Sequence, residues 1–342
     1  MFELLNTLYV LTPGASLHLD HDAVRVVIER DTRLRAPLLS LDSIVTFGRV
    51  AVSPLLIHRC ADDGRAIIFM SGNGRFKARL VGPVRGNVLL RRSQHMALDT
   101  QGWPSRIARQ FVAAKIQNSR LVLLRGARDS TGEPSENLRS AAAQLATSLD
   151  SLRTIEGLDR IRGAEGEAAR IYYRAFSWLI HTQSDVFAFE RRSRRPPRDR
   201  TNALLSFLYA LVREECASAL DGVGLDPQVG YLHALRPGRP ALALDLMEEL
   251  RAPVADRLAA TLINRRQLLA DGFDISPGGA VLLNDDGRRK VLSAYQEQKK
   301  RLVTHRLLQQ KVSFGLVPHV QARLLARHLR GDLAHYPPYV AR

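Results

Sequence analysis

Cysteine is nearly missing from this chain. Only Cys60 and Cys216 occur in 342 residues, far apart and outside any Cys-x-x-Cys spacing, so neither a zinc ribbon nor a disulfide framework can be built. Long apolar runs are missing as well. No stretch approaches the roughly 18–20 residues that a membrane helix needs, and no membrane partner is expected. The N-terminus, MFELLNTLYVLTPG, lacks the basic leader of a signal peptide and breaks at Pro13-Gly14. It reads as a strand followed by a turn, which points to a cytoplasmic protein with reduced thiols. Lysine is scarce too, only 6 of the 50 basic residues, so Arg-rich codon usage can account for part of the basic excess. No internal repeat is evident.

What is present is positive charge. The net charge is +16 and the pI about 10.6, which favours a polyanionic partner, nucleic acid ahead of an acidic membrane. A hydrophobic content of 45% fills an ordinary globular core. A chain of this length suggests two domains. Residues 1–86 read as β-rich: Leu8 to Leu11, Ser16 to Asp20, Val24 to Glu29, Ile44 to Phe47, Ala66 to Met70 and Phe76 to Val81 are short β-favouring runs, and Ser53 to Ala61 is one helix among them. Gly82-Pro83 and Gly86-Asn87 mark a hinge. Residues 87–342 read as helical, most clearly over Leu138 to Leu152, Glu165 to His181, Thr201 to Ala217, Leu242 to Leu250 and Lys290 to Val312. The first part carries 11 basic and 8 acidic side chains, the second 39 and 26. The polyanion footprint therefore belongs mainly to the helical part. Its densest run is the loop RRSRRPPRDR, where Arg191, Arg192, Arg194, Arg195 and Arg198 could clamp phosphates or form a solvated linker. Asp199 is placed to cap the following helix.

Three features could carry chemistry. In GAEGEAARIYYRAFSWLI, Glu165 falls in line with Ala169, Tyr172 and Phe176 at helical spacing. A carboxylate thus shares an apolar stripe, and such a group needs a cation or hydrogen-bond donors. A metal, a buried Arg, or simple exposure at a helix start would each answer. His233 lies in VGYLHALRPGRP, just before Pro- and Gly-rich turns. In LALDLMEELR, Asp245 and Glu248 stand at i and i+3 on one helical face, where like charges repel by a few tenths of a kcal/mol. A bound cation would reverse that cost; the plainer alternative is an acidic surface with Arg251 pairing one carboxylate. Asp245, Glu248 and Glu249 with His233 offer oxygen and imidazole donors, a set suited to Mg²⁺ or Mn²⁺.

These blocks also carry a resemblance. LLNTLYVLTP, SGNGRFKARLVGPVRGNVLLRRSQ, GAEGEAARIYY, RRPPRDRTNALLSFLYALV, VGYLHALRPGRPALALDLMEELRAPVADR and the C-terminal YPPYVAR together resemble the CRISPR-associated spacer-acquisition endonucleases, the integrase subunit of the adaptation complex, in the form found in type I-C systems. The resemblance runs nearly the whole length. It implies an α+β fold, with an N-terminal β-sandwich-like dimerisation domain and a larger all-α catalytic domain. It also implies metal ligands at Glu165, His233 and Glu248, at spacings of 68 and 15 residues, with Asp245 a further acidic position close to the metal. The implied reaction is spacer insertion by attack of a DNA 3′-hydroxyl on a phosphodiester of the repeat array, with nuclease activity when water replaces the hydroxyl. The implied partners are prespacer and repeat DNA, a second copy of the chain, and a dimer of a small ferredoxin-fold acquisition protein. Two rival readings remain to be weighed. A non-catalytic nucleic-acid-binding protein gives no role to clustered carboxylates, and a hydrolase of a small phosphorylated substrate does not need so basic a helical part.

Overall fold

A computed structural model describes residues 6–72, 74, 76–80, 82, 88–182 and 185–341. Pro83, Gly86 and Asn87 of the expected hinge lie outside them. The chain divides into two compact units. One comprises Met1–Arg85, Leu283–Arg301 and Ser313–Leu316, the other Gly86–Leu282, Leu302–Val312 and Val317–Arg342. A single cut near residue 86 therefore omits two later segments that return to the first unit.

In the first unit the elements are β1 (Asn6–Val10), β2 (Ser16–Asp20), β3 (Ala23–Ile28), β4 (Asp31–Pro37), β5 (Leu41–Phe47), β6 (Ala51–Val52), α1 (Pro54–Asp62), β7 (Ala66–Met70) and β8 (Phe76–Leu80). They form two four-stranded sheets, ordered β1-β5-β7-β8 and β4-β3-β2-β6. β5 pairs in parallel with both β1 and β7. It is buried almost throughout, Ser43 and Thr46 included, as befits a central strand with neighbours on both sides. β3 instead alternates, with Val24 and Val26 buried, the period-2 pattern of a sheet with one covered face. β4, Asp-Thr-Arg-Leu-Arg-Ala-Pro, is exposed along most of its length and lies at a sheet edge, where charge discourages pairing with another chain. Leu17, Val24, Leu38, Ile44, Leu56 and Ile67 make the core of this unit. Truncating a residue such as Ile44 to Ala there would cost about 2–5 kcal/mol. Ser53 caps α1 by accepting from Leu56 N, and Pro54 occupies the first turn, where its missing N–H costs nothing.

The second unit is built from α2 (Val88–Asp99), α3 (Trp103–Arg128), α4 (Glu133–Ser151), α5 (Leu158–Ala175), α6 (Arg200–Gly222), α7 (Ala241–Glu248) and α8 (Arg257–Asn264). The hairpin β9 (Phe273–Ile275) and β10 (Val281–Leu283) follows. Next come α9 (Asp285–Lys300), which belongs to the first unit, the hairpin β11 (Leu302–His305) and β12 (Gln310–Ser313), and α10 (Val317–Arg330). The fold is thus α+β, a β-sheet region followed by a larger helical part, although two small hairpins keep the latter from being all-α. The continuous helix expected over Lys290 to Val312 ends at Lys300. Leu302–His305 then extends and folds back through a turn in which Gln309 takes φ 52. α3 packs on α4 and α5, and its Ile107, Phe111, Ala114, Val122 and Leu123 are buried. α6 is buried nearly all round, and Asp199 caps it, accepting from Asn202 N at 2.7 Å. Among the described residues no helix is long and apolar enough to cross a membrane.

Candidate active site

Four elements of the second unit bring their charged side chains to one place. α5 carries Glu165, a quarter exposed, with its neighbours Ala168 and Tyr172 buried. α7 carries Asp245 and Glu248, both buried. The loop before α7 carries His233, and α3 carries Lys115, flanked by buried Ala114 and Ile116.

Asp245 is the organiser of the loop. Its Oδ2 accepts from the backbone N–H groups of Tyr231 and Leu232 at 2.6 and 2.9 Å, and its Oδ1 from His233 N at 2.9 Å and His233 Nδ1 at 2.7 Å. All its acceptor capacity faces these donors, so Asp245 orients the site from behind. An acceptor-only carboxylate at Nδ1 places the imidazole proton there and leaves Nε2 as the lone-pair nitrogen. That nitrogen points into the cluster, 3.8 Å from Glu248 Oε1. The wrapping of the loop around Asp245 requires Gly230. A Cβ there would sit 2.6 Å from the Ala241 carbonyl carbon and 2.8 Å from Asp245 Oδ2, closer than any side chain tolerates.

Glu248 lies between two cations. Arg251 Nη2 is 3.0 Å from its Oε1 and Lys115 Nζ 2.6 Å from its Oε2. Burial alone would raise its pKa, but Arg251, Lys115 and His233 outweigh that and hold the carboxyl at about 2. Among the described residues Lys115 is the one partner of Oε2, which is otherwise buried without a donor. Lys115 also donates to Glu165 Oε1. Burial opposes its charge, and the carboxylates of Glu248 and Glu165 more than compensate, raising its pKa. The cation that Glu165 needed on its apolar stripe is therefore a lysine from 50 residues upstream. Arg251 sits at the start of a π-helical turn, Arg251–Asp256, whose Pro253 has no N–H to give to an α-helical ladder. The Arg251 guanidinium lies over the Tyr209 ring, 4.9 Å from its centroid. At the end of the same turn Asp256 accepts from Tyr172 at 2.9 Å and from Tyr209.

Glu249, grouped above with the prospective ligands, is turned elsewhere. It is fully buried, and its carboxyl accepts from Tyr336 Oη at 2.6 Å, Tyr339 N at 2.7 Å and Gln321 Nε2 at 3.0 Å. Its backbone carbonyl accepts from Asn118 Nδ2, which also reaches Tyr339 O. This clasp fastens the C-terminal segment. With neutral donors only, burial dominates and pushes the Glu249 carboxyl up to about 8.

The structure thus gathers Glu165, His233 and Glu248, places Asp245 behind His233, and removes Glu249. Among the described residues no three His, Cys, Asp or Glu side chains stand ready to chelate a metal; the ammonium of Lys115 occupies the position between the two carboxylates. The donor chemistry nevertheless fits a hard dication: two carboxylates, one with an oxygen whose partner is only the Lys115 ammonium, and an imidazole nitrogen fixed by its partner. Arg191, Arg194, Arg195 and Arg198 are exposed, and Arg198 donates to Gly278 O at 2.9 Å. Arg192 is different. It donates to Asn202 Oδ1 at 2.6 Å and Ser206 Oγ at 2.9 Å and lies over Tyr209, so it holds the loop to α6. Lys115 was missed in the sequence. Its only signal is a lysine inside an otherwise apolar helical stretch.

Residues 8–297 match the family model described as CRISPR associated protein Cas1. The chain is 52% identical over 343 residues to the CRISPR-associated endonuclease Cas1 1 of Moorella thermoacetica, covering the whole of both chains. A solved Cas1 structure from Thermotoga maritima superposes with a TM-score of 0.80 at 24% identity, over 96% of this chain and 97% of that one. A casposase bound to its integration product superposes with a TM-score of 0.82 at 21% identity, over 97% and 93%.

Proposed function

Because this chain belongs to the Cas1 family of CRISPR-associated proteins, we propose that it is a divalent-metal-dependent DNA endonuclease and integrase that inserts spacers into a CRISPR array, acting in the cytoplasm. The observation that carries this reading is the meeting of Glu165, Glu248 and the Asp245-oriented His233 at one cation-bearing cluster. The names of the 52%-identical relative, an endonuclease, and of the structural neighbour seen with an integration product support it.

Glu165, Glu248 and His233 Nε2 are the donors that would hold the ion, and hard oxygen with one imidazole suits Mg²⁺ or Mn²⁺. Bound there, the ion would offset the negative charge that gathers on phosphorus in the transition state. In the reaction a DNA 3′-oxygen forms a new bond to phosphorus and loses its proton. The bond from phosphorus to the resident 3′-oxygen breaks, and that oxygen leaves as a new 3′-hydroxyl. Arg251, held against Tyr209, keeps Glu248 ionised. Asp245 keeps the His233 lone pair aimed at the cluster. The exposed arginines of residues 191–198 supply phosphate contacts, and two homodimers flanking a dimer of a small ferredoxin-fold acquisition protein complete the assembly.

A purely DNA-binding role leaves two cation-bridged carboxylates, one of them buried, unexplained, since they would repel phosphate. A small-substrate hydrolase leaves the basic surface unexplained. The test is strand transfer of a short duplex into a plasmid carrying the repeat, in Mn²⁺, with Glu165→Gln beside the wild type. The variant should lose at least about a thousandfold in rate, roughly 4 kcal/mol of barrier, and keep its DNA affinity by fluorescence anisotropy. Joining at the wild-type rate would show the reading to be wrong.

A further inference from the structure

We propose that Lys115 is the built-in counter-cation of this site: its ammonium holds Glu165 and Glu248 together before metal loading, must be displaced by the incoming divalent ion, and so sets the metal concentration at which the site fills. This rests on the proposed metal-dependent reading and adds to it a positioning residue whose charge competes with the metal.

Four observations carry the inference. First, one ammonium touches carboxylates from two separate helices, bonding Glu165 Oε1 and lying 2.6 Å from Glu248 Oε2. That is the place a cation shared by these two groups must take. Second, the four groups in direct contact are balanced in charge with Lys115 in position. Glu165 and Glu248 contribute two negative charges, Lys115 and Arg251 two positive ones. A dication added to that neutral set would leave it at +2, with Lys115 as its immediate neighbour, whereas a dication that displaces the lysine leaves +1. Third, the residue is a lysine in a chain where only 6 of 50 basic residues are lysine. A compact ammonium on a flexible stem can retract more readily than a planar guanidinium; Arg251 is paired to Glu248 and stacked over Tyr209. Fourth, there is somewhere to go. A cavity of about 10 Å³ adjoins the lysine, lined by Lys115, Tyr172, Tyr173, Arg251 and Asp256. That is room for one water-sized group, and the Asp256 carboxyl stands in its wall.

Direct metal titration tests this without recourse to activity. Mn²⁺ binding to the full chain is measured by electron paramagnetic resonance and calorimetry for the wild type, Lys115→Met, Lys115→Arg, Glu165→Gln and Glu248→Gln, with thermal melts at zero and saturating Mn²⁺. Lys115→Met keeps the volume of the side chain and removes its charge. It should bind Mn²⁺ at least tenfold more tightly than the wild type, melt lower without metal, and regain most of that difference when loaded. Lys115→Arg restores a cation and should gain no affinity, so the charge can be judged even if the Met variant folds poorly. Mn²⁺ binding by Lys115→Met equal to or weaker than that of the wild type, or a gain with Lys115→Arg, overturns the inference while binding lost in Glu165→Gln leaves the metal reading standing. Absence of Mn²⁺ binding in every variant and in the wild type overturns both.

Discussion

Glu248 and Glu249 are adjacent in the chain and equally hidden from solvent, yet they live in opposite electrostatic surroundings. Glu248 faces the Lys115 ammonium and the Arg251 guanidinium and is held at about 2. Glu249 faces a phenol, an amide and a backbone N–H, all neutral, and is pushed up to about 8. Burial acts against the charged form in both. Full positive charges within about 3 Å overcome it, and dipoles at the same distance do not. The two carboxyls therefore serve different ends. One stays ionised at every physiological pH, as a group handling cations and phosphate must. The other fastens the C-terminal segment to α3 and α7 and is best left protonated. One helical step, from the last residue of α7 to the next, separates a chemical centre from a structural clasp.

The largest effect that could break this comparison is on catalysis. Glu248→Gln should reduce strand transfer by about a thousandfold or more, whereas Glu249→Gln should stay within severalfold of the wild type, in single-turnover assays at saturating DNA. Equal losses would mean that the clasp and the centre act as one unit.

A smaller, pH-dependent effect sharpens it. The Glu249 pKa is higher folded than the ordinary value of 4.5, so the stability it contributes is present below pH 4.5 and lost as the pH climbs through about 8. Glu249→Gln should thus gain on the wild type between pH 5 and pH 8, by a few kcal/mol at most. The Glu248 pKa is depressed, so its contribution is present above pH 4.5 and lost as the pH falls towards 2. Glu248→Gln should be less stable than the wild type at pH 7, with the deficit closing below pH 4.5. Urea unfolding at several pH values reads both. Parallel pH curves for Glu249→Gln and the wild type from pH 5 to 8 would mean that Glu249 ionises normally.

The smallest effect separates two kinds of arginine in residues 191–198. Arg192→Ala should cost about 1–3 kcal/mol through its lost bonds to Asn202 and Ser206. Replacing Arg194 and Arg195 by Ala should leave stability within about 0.5 kcal/mol and flatten the salt dependence of DNA binding by nearly one unit for each phosphate contact removed. An unchanged salt slope would place the phosphate track on other helices.

Local pattern carried much of this molecule. β-favouring runs between turn residues marked β2, β3 and β7 within a residue or two, because β-branched and apolar residues suit a pleated surface and a turn must have its Gly, Asn or Asp. β4 was overlooked because its charges, proper to an exposed edge, erase the apolar signal. The run from Lys290 to Val312 reads as one helix, yet Arg301 is extended and β11 pairs with β12 beyond it, a choice that helical spacing does not carry.

The site divides the same way. The sequence by itself determined that Glu165 lay on an apolar stripe, that Asp245 and Glu248 shared a helical face, and that the helical part was the basic one. These follow from periodicity and charge, which are local or additive. It could not determine which cation answers Glu165, that Asp245 would be spent on the His233 loop, or that Glu249 would hold the C-terminus. Each of those depends on contacts between segments far apart in the chain: Lys115 with Glu165, Asn118 with Tyr339, Tyr336 with Glu249. A buried polar group takes its state from the partner that packing brings within about 3 Å, and only the tertiary structure chooses that partner.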